Sequence, residues 1–363
     1  MFQAIRNYFT RIKHIFSGYS TPRCVGLDIA SSAIKIVELN PDTLQVRRYN
    51  IAGLSKNAVS EGVIHDIDKV SGLIINQWRN LNPDANTIAI SIPYNAVMIK
   101  QLTTPIIKDL FALDKFILEQ LTLELDIEDI DFDYSIIEQT DDKQIVNVVV
   151  AKKEKIEEYQ AIIQITGLKV AAIDIEPFAI AHLFSILLKR NQLNQQFLLL
   201  DLGVTRLRVF IFENTEQLVF NEIVVNYRGL YEDIIRRVDS NINLAEITDI
   251  YSYTAQLINN NNLAHDELNN AIITDMHKII QLIKSNLLIE KKIILSEATP
   301  IFLIGGNAVL PSLVNIIGQQ FNCSVKLITE LMRGENQHIP EADLLRLMTA
   351  IALATWGQQL NAN

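Results

Sequence analysis

One pattern occurs twice in this chain, and it limits the possible folds more than any other feature. Val25 to Val37 reads VGLDIASSAIKIV and Leu198 to Phe210 reads LLLDLGVTRLRVF, and the two align without gaps at a constant offset of 173 residues. Asp28 pairs with Asp201, Ala30 with Gly203, Ser32 with Thr205 and Lys35 with Arg208. Each copy has the apolar runs and small-residue centre of a strand, a tight turn and a second strand. One such hairpin would be ordinary. Two of them predict a mixed α/β chain built as two related lobes, and 363 residues is ample for two.

The residue types suit a polyphosphate held between the hairpins. Small residues in a tight turn let backbone N–H groups approach phosphate oxygens, and hydroxyls add donors. An Asp at the preceding strand end can hold a hydrated Mg²⁺. Two further segments follow in a helpful order. Ile175-Glu176-Pro177-Phe178-Ala179 opens a helix just before the second hairpin, placing Glu176 near the phosphate gap; it reads equally as a helix-start acid stabilised by the dipole. Ile301 to Pro311 (IFLIGGNAVLP) reads as a buried strand, a Gly-Gly turn and a helix start, where bare backbone can lie against a purine and ribose.

Between the hairpins, the alternation predicts strands at Thr87–Ile92 and Val97–Leu102, a helix at Lys108–Leu125, and strands at Asp133–Glu138 and Gln144–Ala151. A helix at Glu154–Thr166 and a strand at Lys169–Ile173 complete a small α+β module. After the second hairpin, helices are expected near Gly229–Val238, Ala271–Leu288, Pro311–Phe321 and Leu344–Thr355. The Asn259 to Asn262 tract is expected to be an exposed loop. At the other end, Phe2, Ile5, Phe9, Ile12 and Phe16 fall at helical spacing beside Arg6, Arg11 and Lys13. Residues 1–17 thus read as a basic amphipathic helix, lying either in a membrane interface or on the protein.

Charge and cysteine usage exclude other classes. A formal charge of −10 with no basic groove argues against nucleic acid. Cys24 and Cys323 are too few for a disulfide framework and suit a reducing compartment. No apolar run approaches the roughly 18 residues of a membrane span, so the body is expected to be cytoplasmic. The six histidines show no HExxH or paired metal-ligand spacing, and P-loop, G-x-S-x-G and dinucleotide signatures are absent. The stretch Asp109 to Asp142 holds twelve acids and only Lys115 as a base, which marks one acidic surface.

Taken in order, these segments resemble the phosphate-1, connect-1, phosphate-2, adenosine and connect-2 motifs of the actin-like ATPase superfamily, which includes FtsA, sugar kinases and heat-shock chaperones. Within it, VGLDIASSAIKIVEL (Val25–Leu39), the run VVVAKKEKIEEYQAIIQITGLKVAAIDIEPFAI and IFLIGGNAVLPSL resemble the PilM family of type IV pilus assembly proteins. The resemblance implies an actin-like α/β fold, two lobes with duplicated mixed sheets flanked by helices, plus an FtsA-like 1C subdomain. It divides the chain into an N-terminal segment (1–22), subdomain 1A (23–86), 1C (87–173), a return to 1A (174–196), 2A (197–230), 2B (231–292) and 2A again (293–363).

For the site, the resemblance implies ATP with Mg²⁺ held through water by Asp28 and Asp201. Ser31, Ser32, Lys35, Gly203 and Thr205 would sit at the phosphates and Gly305, Gly306 and Asn307 at the adenosine, with Glu176 orienting attacking water. Ala30, Arg206, Arg228 and Ala352 depart from the superfamily's small residues, which points to slow or absent turnover. The implied partner is the N-terminal cytoplasmic segment of the membrane protein PilN, bound between 1A and 1C, with the protein peripheral at the inner membrane and serving pilus assembly, twitching motility and DNA uptake. Two other readings belong to the same superfamily. One is an FtsA- or MreB-like membrane-associated filament former. The other is a small-molecule kinase, for which no acceptor-site general base stands out.

Overall fold

The computed structural model describes residues 3–6, 23–125, 129–193, 195–212, 217–244, 247, 249–260, 262–285, 296–309, 311–332 and 334–358. In chain order the first part carries β1 (Gln3–Arg6), β2 (Val25–Ile29), β3 (Ala33–Leu39), β4 (Val46–Gly53), the short β5 (Val59–Ser60) and β6 (Val63–Ile64), α1 (Ile67–Leu81) and β7 (Thr87–Ile92). Then come β8 (Val97–Pro105), α2 (Leu110–Leu125), β9 (Ile130–Gln139), β10 (Lys143–Lys152), α3 (Lys153–Thr166), β11 (Lys169–Ile175) and α4 (Glu176–Arg190). The second part carries β12 (Phe197–Leu202), β13 (Arg206–Phe212), β14 (Gln217–Val224), α5 (Tyr227–Val238), α6 (Ile250–Asn260) and α7 (Asn262–Ser285). It closes with β15 (Ile301–Ile304), α8 (Pro311–Phe321), β16 (Val325–Leu327), α9 (Glu341–Arg346) and α10 (Met348–Ala354).

Among these residues the two large sheets repeat one topology. In the first, β4, β3 and β2 form an antiparallel meander, and β7 then β11 add in parallel beside β2. In the second, β14, β13 and β12 form the meander, with β15 then β16 added in parallel beside β12. The repeat extends to single hydrogen bonds. Ala30 N–H donates to the Ala33 carbonyl at 3.1 Å in the first turn, and Gly203 N–H to the Arg206 carbonyl at 3.0 Å in the second. Leu54 N–H reaches the Ser32 carbonyl at 2.8 Å, and Val225 N–H the Thr205 carbonyl at 2.9 Å. Two lobes made by duplication therefore follow from the backbone itself.

Local chemistry explains the elements that frame the cleft. Every residue of β12 is buried, as expected for a central strand with apolar side chains on both faces. Helix α4 is apolar on nearly all sides and buries Phe178, Leu183, Phe184 and Leu187, so it sits inside the molecule with its first residue, Glu176, at the cleft. Asp66 caps α1 by accepting from Lys69 N–H at 3.0 Å, and the helix buries Val70 and Ile74 under the first sheet. Helix α10 packs directly on β2: a Cβ on Gly26 would lie 1.9 Å from the Ala350 carbonyl oxygen, so only glycine permits this contact. The C-terminal end of the chain is thereby joined to the first lobe, and one apolar core runs from the second sheet through α4 and α10 to Cys24, Val37 and Leu39.

Four expectations need correction. Strands Thr87–Ile92 and Lys169–Ile175 do not belong to the small module but pair in parallel in the first large sheet, leaving β8, β10 and β9 as the module's sheet. Sequence order gives strands but not their sheet partners. Gln3–Arg6, expected as part of a helix, forms a strand antiparallel to β14 and pairs backbone groups that this edge would otherwise leave open; the rest of the basic segment lies outside the described residues. The Asn259 to Asn262 tract is not a loop: α6 runs through Asn260 and α7 starts at Asn262. The closing helix divides at Leu347 into α9 and α10.

Candidate functional site

The two hairpin turns face each other. Ser31 Oγ and Thr205 Oγ1 lie 3.2 Å apart in hydrogen-bond contact, although 174 positions separate them in the chain. Around this contact one cavity is lined by Asp28, Ser31, Ser32 and Lys35 from the first lobe and by Asp201, Gly203 and Thr205 from the second. Glu176, Gly305 and Gly306 complete the same wall. Nine of the ten residues expected at a cofactor, Asn307 excepted, thus share a single cleft with Glu176.

Cross-strand register sets the charges. Asp28 stands opposite Lys35 and Asp201 opposite Arg208 in their hairpins, and each pair closes as an ion pair at 2.7 Å. Both acids are buried, at 2% and 6% exposure. Burial pushes both carboxyls above the usual carboxylate range; the facing cation pulls each back down, and the neighbouring Glu176 adds to the rise. Arg208 also donates through Nη2 to Glu176 at 2.5 Å and through Nε to Glu222 on β14 at 2.9 Å. Burial works against its charge, yet Glu176, Asp201 and Glu222 together hold it above the ordinary guanidinium value. Arg206, a departure inside the second turn, lines the cavity and pairs with Glu222.

The glycine turn after β15 abuts the second hairpin. Gly305 has φ of +90°, and a Cβ there would lie 2.6 Å from Asp201 Oδ1 and 2.8 Å from the Leu202 carbonyl carbon. Asn307 is 2% exposed and does not line the cavity. Its Nδ2 donates to the Gly203 carbonyl at 2.9 Å, while its Oδ1 accepts from the Tyr231 hydroxyl. It braces the phosphate-2 turn from behind. A second contact joins the lobes: Lys56, just after β4, reaches Glu232 on α5 at 2.6 Å, and Arg228 shares that carboxylate at 3.2 Å.

Sequence reasoning paired Lys35 with Arg208 but missed that Arg208 gathers three carboxylates, and it missed Glu222 altogether. The available signal was the hairpin register, since a tight turn places the residue seven after each Asp directly across from it.

The donor set fits a nucleoside phosphate in kind: two hydroxyl-bearing turns, Lys35 and bare glycine backbone on one wall. In size the cleft is shut. Its cavity of about 110 Å³ is well below the roughly 300–1,000 Å³ of small-molecule sites, so the Ser31 to Thr205 contact must open to admit one. Direct ligation of Mg²⁺ does not fit this geometry. Asp28 and Asp201 are each engaged by a cation at 2.7 Å, and among the described residues no three His, Cys, Asp or Glu side chains converge as a metal ligand set.

Comparison with known proteins agrees with this architecture. Residues 26–357 match the family model described as type IV pilus assembly protein PilM. A chain of the solved PilM-PilN type IV pilus biogenesis complex superposes with a TM-score of 0.72 at 16% identity, covering 93% of this chain and 99% of that one. The ethanolamine utilization protein EutJ of Carboxydothermus hydrogenoformans superposes at 0.55 with 13% identity, over 92% of this chain and 89% of that one. Both likenesses are of fold.

Proposed function

Because the chain belongs to the PilM family of type IV pilus assembly proteins, we propose that it is a nucleotide-responsive adaptor of pilus biogenesis that captures the N-terminal cytoplasmic segment of PilN. In this role it works at the cytoplasmic face of the inner membrane and supports pilus assembly, twitching motility and DNA uptake. Among the described residues no helix is long and apolar enough to cross a membrane; in this reading attachment comes through the partner.

The observation that carries this reading is the family match over residues 26–357 combined with a two-lobed cleft whose closing contacts a ligand must break. The nucleotide is ATP, met by Ser31, Ser32, Lys35, Gly203 and Thr205 at the phosphates and by Gly305 and Gly306 at the adenosine. Glu176, tied to Arg208 at 2.5 Å, is poorly placed to orient water, so turnover is slow or absent. The module around β8, β9 and β10 exposes Asp109, Asp114, Glu119 and Asp131, together with Phe111 and Leu123 at 82% and 80% exposure. That chemistry suits a peptide with basic and apolar side chains.

Fluorescence anisotropy with the labelled N-terminal peptide of the PilN from the same cell tests the partner. Binding at about micromolar Kd that weakens with salt is expected. A peptide that stays free at every protein concentration removes PilN from the account.

A further inference from the structure

Arg208 lies on β13 at the centre of the cleft, with three sides of its guanidinium occupied. Nη1 donates to Asp201 at 2.7 Å, Nη2 to Glu176 at 2.5 Å and Nε to Glu222 at 2.9 Å. These carboxylates come from β12, the start of α4 and β14, so one cation ties three separate elements. Two of the three, Asp201 and Glu176, are the groups that the family resemblance assigns to a hydrated metal and to attacking water. The other lobe repeats the arrangement in smaller form, with Lys35 on Asp28.

A guanidinium has five N–H donors at fixed angles and does not lose its proton. Three of the five make the bonds above. Two remain, one on each terminal nitrogen, free in number to meet phosphate oxygens, a pairing that guanidinium geometry favours. A hydrated Mg²⁺ bound to Asp201 or Glu176 would compete with Arg208 for the same lone pairs and would stand within a few ångströms of a like charge. Lys35, Arg206 and Arg208 face Asp28, Glu176, Asp201 and Glu222 in the cleft and its floor. The carboxylates outnumber these cations by one, so what Arg208 supplies is a local cationic donor at the place a divalent ion would take rather than a surplus of positive charge.

We propose that Arg208 takes the electrostatic place of the divalent cation, so that the cleft binds a nucleoside phosphate without Mg²⁺. The proposal rests on the nucleotide reading of the cleft given above. Entry of the ligand parts Ser31 from Thr205, and Arg208 turns its remaining donors to the phosphate while keeping Glu222 on its far side. The bond from Nη2 occupies one lone pair of Glu176 Oε2 and turns the carboxylate toward Arg208, so the same residue that replaces the metal weakens Glu176 as an acceptor for attacking water.

The test is a titration of the full chain with the fluorescent analogue mant-ATP, in excess Mg²⁺ and in EDTA. Wild type is expected to bind with affinities that differ by less than about threefold between the two buffers, and Arg208→Gln to need Mg²⁺ by about tenfold or more. Electron paramagnetic resonance with Mn²⁺ alone is expected to show protein-bound ion in Arg208→Gln and none in wild type. A wild type that loses about tenfold or more of its affinity in EDTA overturns the proposal and leaves the nucleotide reading standing. No binding in either buffer rejects the nucleotide reading and this proposal with it. Should Arg208→Gln fail to fold, the wild-type comparison decides alone.

Discussion

Replacing Gly305 by alanine is the sharpest single test of how the glycine turn and the second hairpin fit together. Two costs add. At φ of +90° an L-residue carries strain of about 1–2 kcal/mol. The new Cβ also meets Asp201 Oδ1 at 2.6 Å and the Leu202 carbonyl carbon and oxygen at 2.8 Å. The Leu202 atoms are backbone of a buried central strand and cannot swing away, so overpacking adds about 1–3 kcal/mol. The expected destabilisation is therefore about 2–5 kcal/mol. Gly167, the C-cap of α3, supplies the control: its φ is +74°, but a Cβ there meets nothing within 4 Å. Gly167→Ala should lose only the strain, about 1–2 kcal/mol. Urea denaturation of both variants beside wild type separates the terms. If Gly305→Ala falls within about 0.5 kcal/mol of Gly167→Ala, the close approach of this turn to Asp201 and Leu202 is refuted.

Two further outcomes follow from buried groups. Asp174 accepts from Trp356 Nε1 at 3.0 Å and from the Ile175 N–H, yet burial outweighs both bonds and raises its pKa from 3.8 to about 6. Between these values the folded state binds more protons than the unfolded, so stability falls as pH rises through the window, by about 3 kcal/mol in all. Asp174→Asn, which keeps a carbonyl acceptor for Trp356, should gain over wild type from pH 4 to pH 7; a flat difference in urea midpoint across that range would refute it. Cys24, buried with its thiol pushed up to about 12, should resist a thiol reagent such as DTNB in the native state and react only on unfolding; rapid native labelling of Cys24 would contradict its packing beneath α10.

Much of the cleft was legible in the sequence because duplication leaves a trace that single motifs do not. Matching Asp28 to Asp201 at constant offset fixed the turns and the facing acids, and Gly305 and Gly306 were recognisable as a place where side chains are excluded. Asn307 looked like a ligand residue because its type and position suit one; its role as a brace depends on Tyr231, which lies 76 positions away and is brought up by α5. Arg208 looked like a phosphate-facing counterpart of Lys35. Only folding shows that α4 and β14 each bring a carboxylate to the same guanidinium. Sheet membership was hidden for a similar reason. Thr87–Ile92 and Lys169–Ile175 bracket the small module in sequence, while their parallel pairing beside β2 is a long-range choice that local pattern does not encode.

The central claim is that the two hairpins close on a single nucleotide. Ser31 and Thr205 are near enough for a Ser31→Cys, Thr205→Cys pair to form an S–S bond of about 2.05 Å. Calorimetric titration of that variant with ATP, reduced and then oxidised, is the most direct measurement. The account predicts binding with the thiols free and its loss once the turns are locked together. Equal affinity in both states would contradict it.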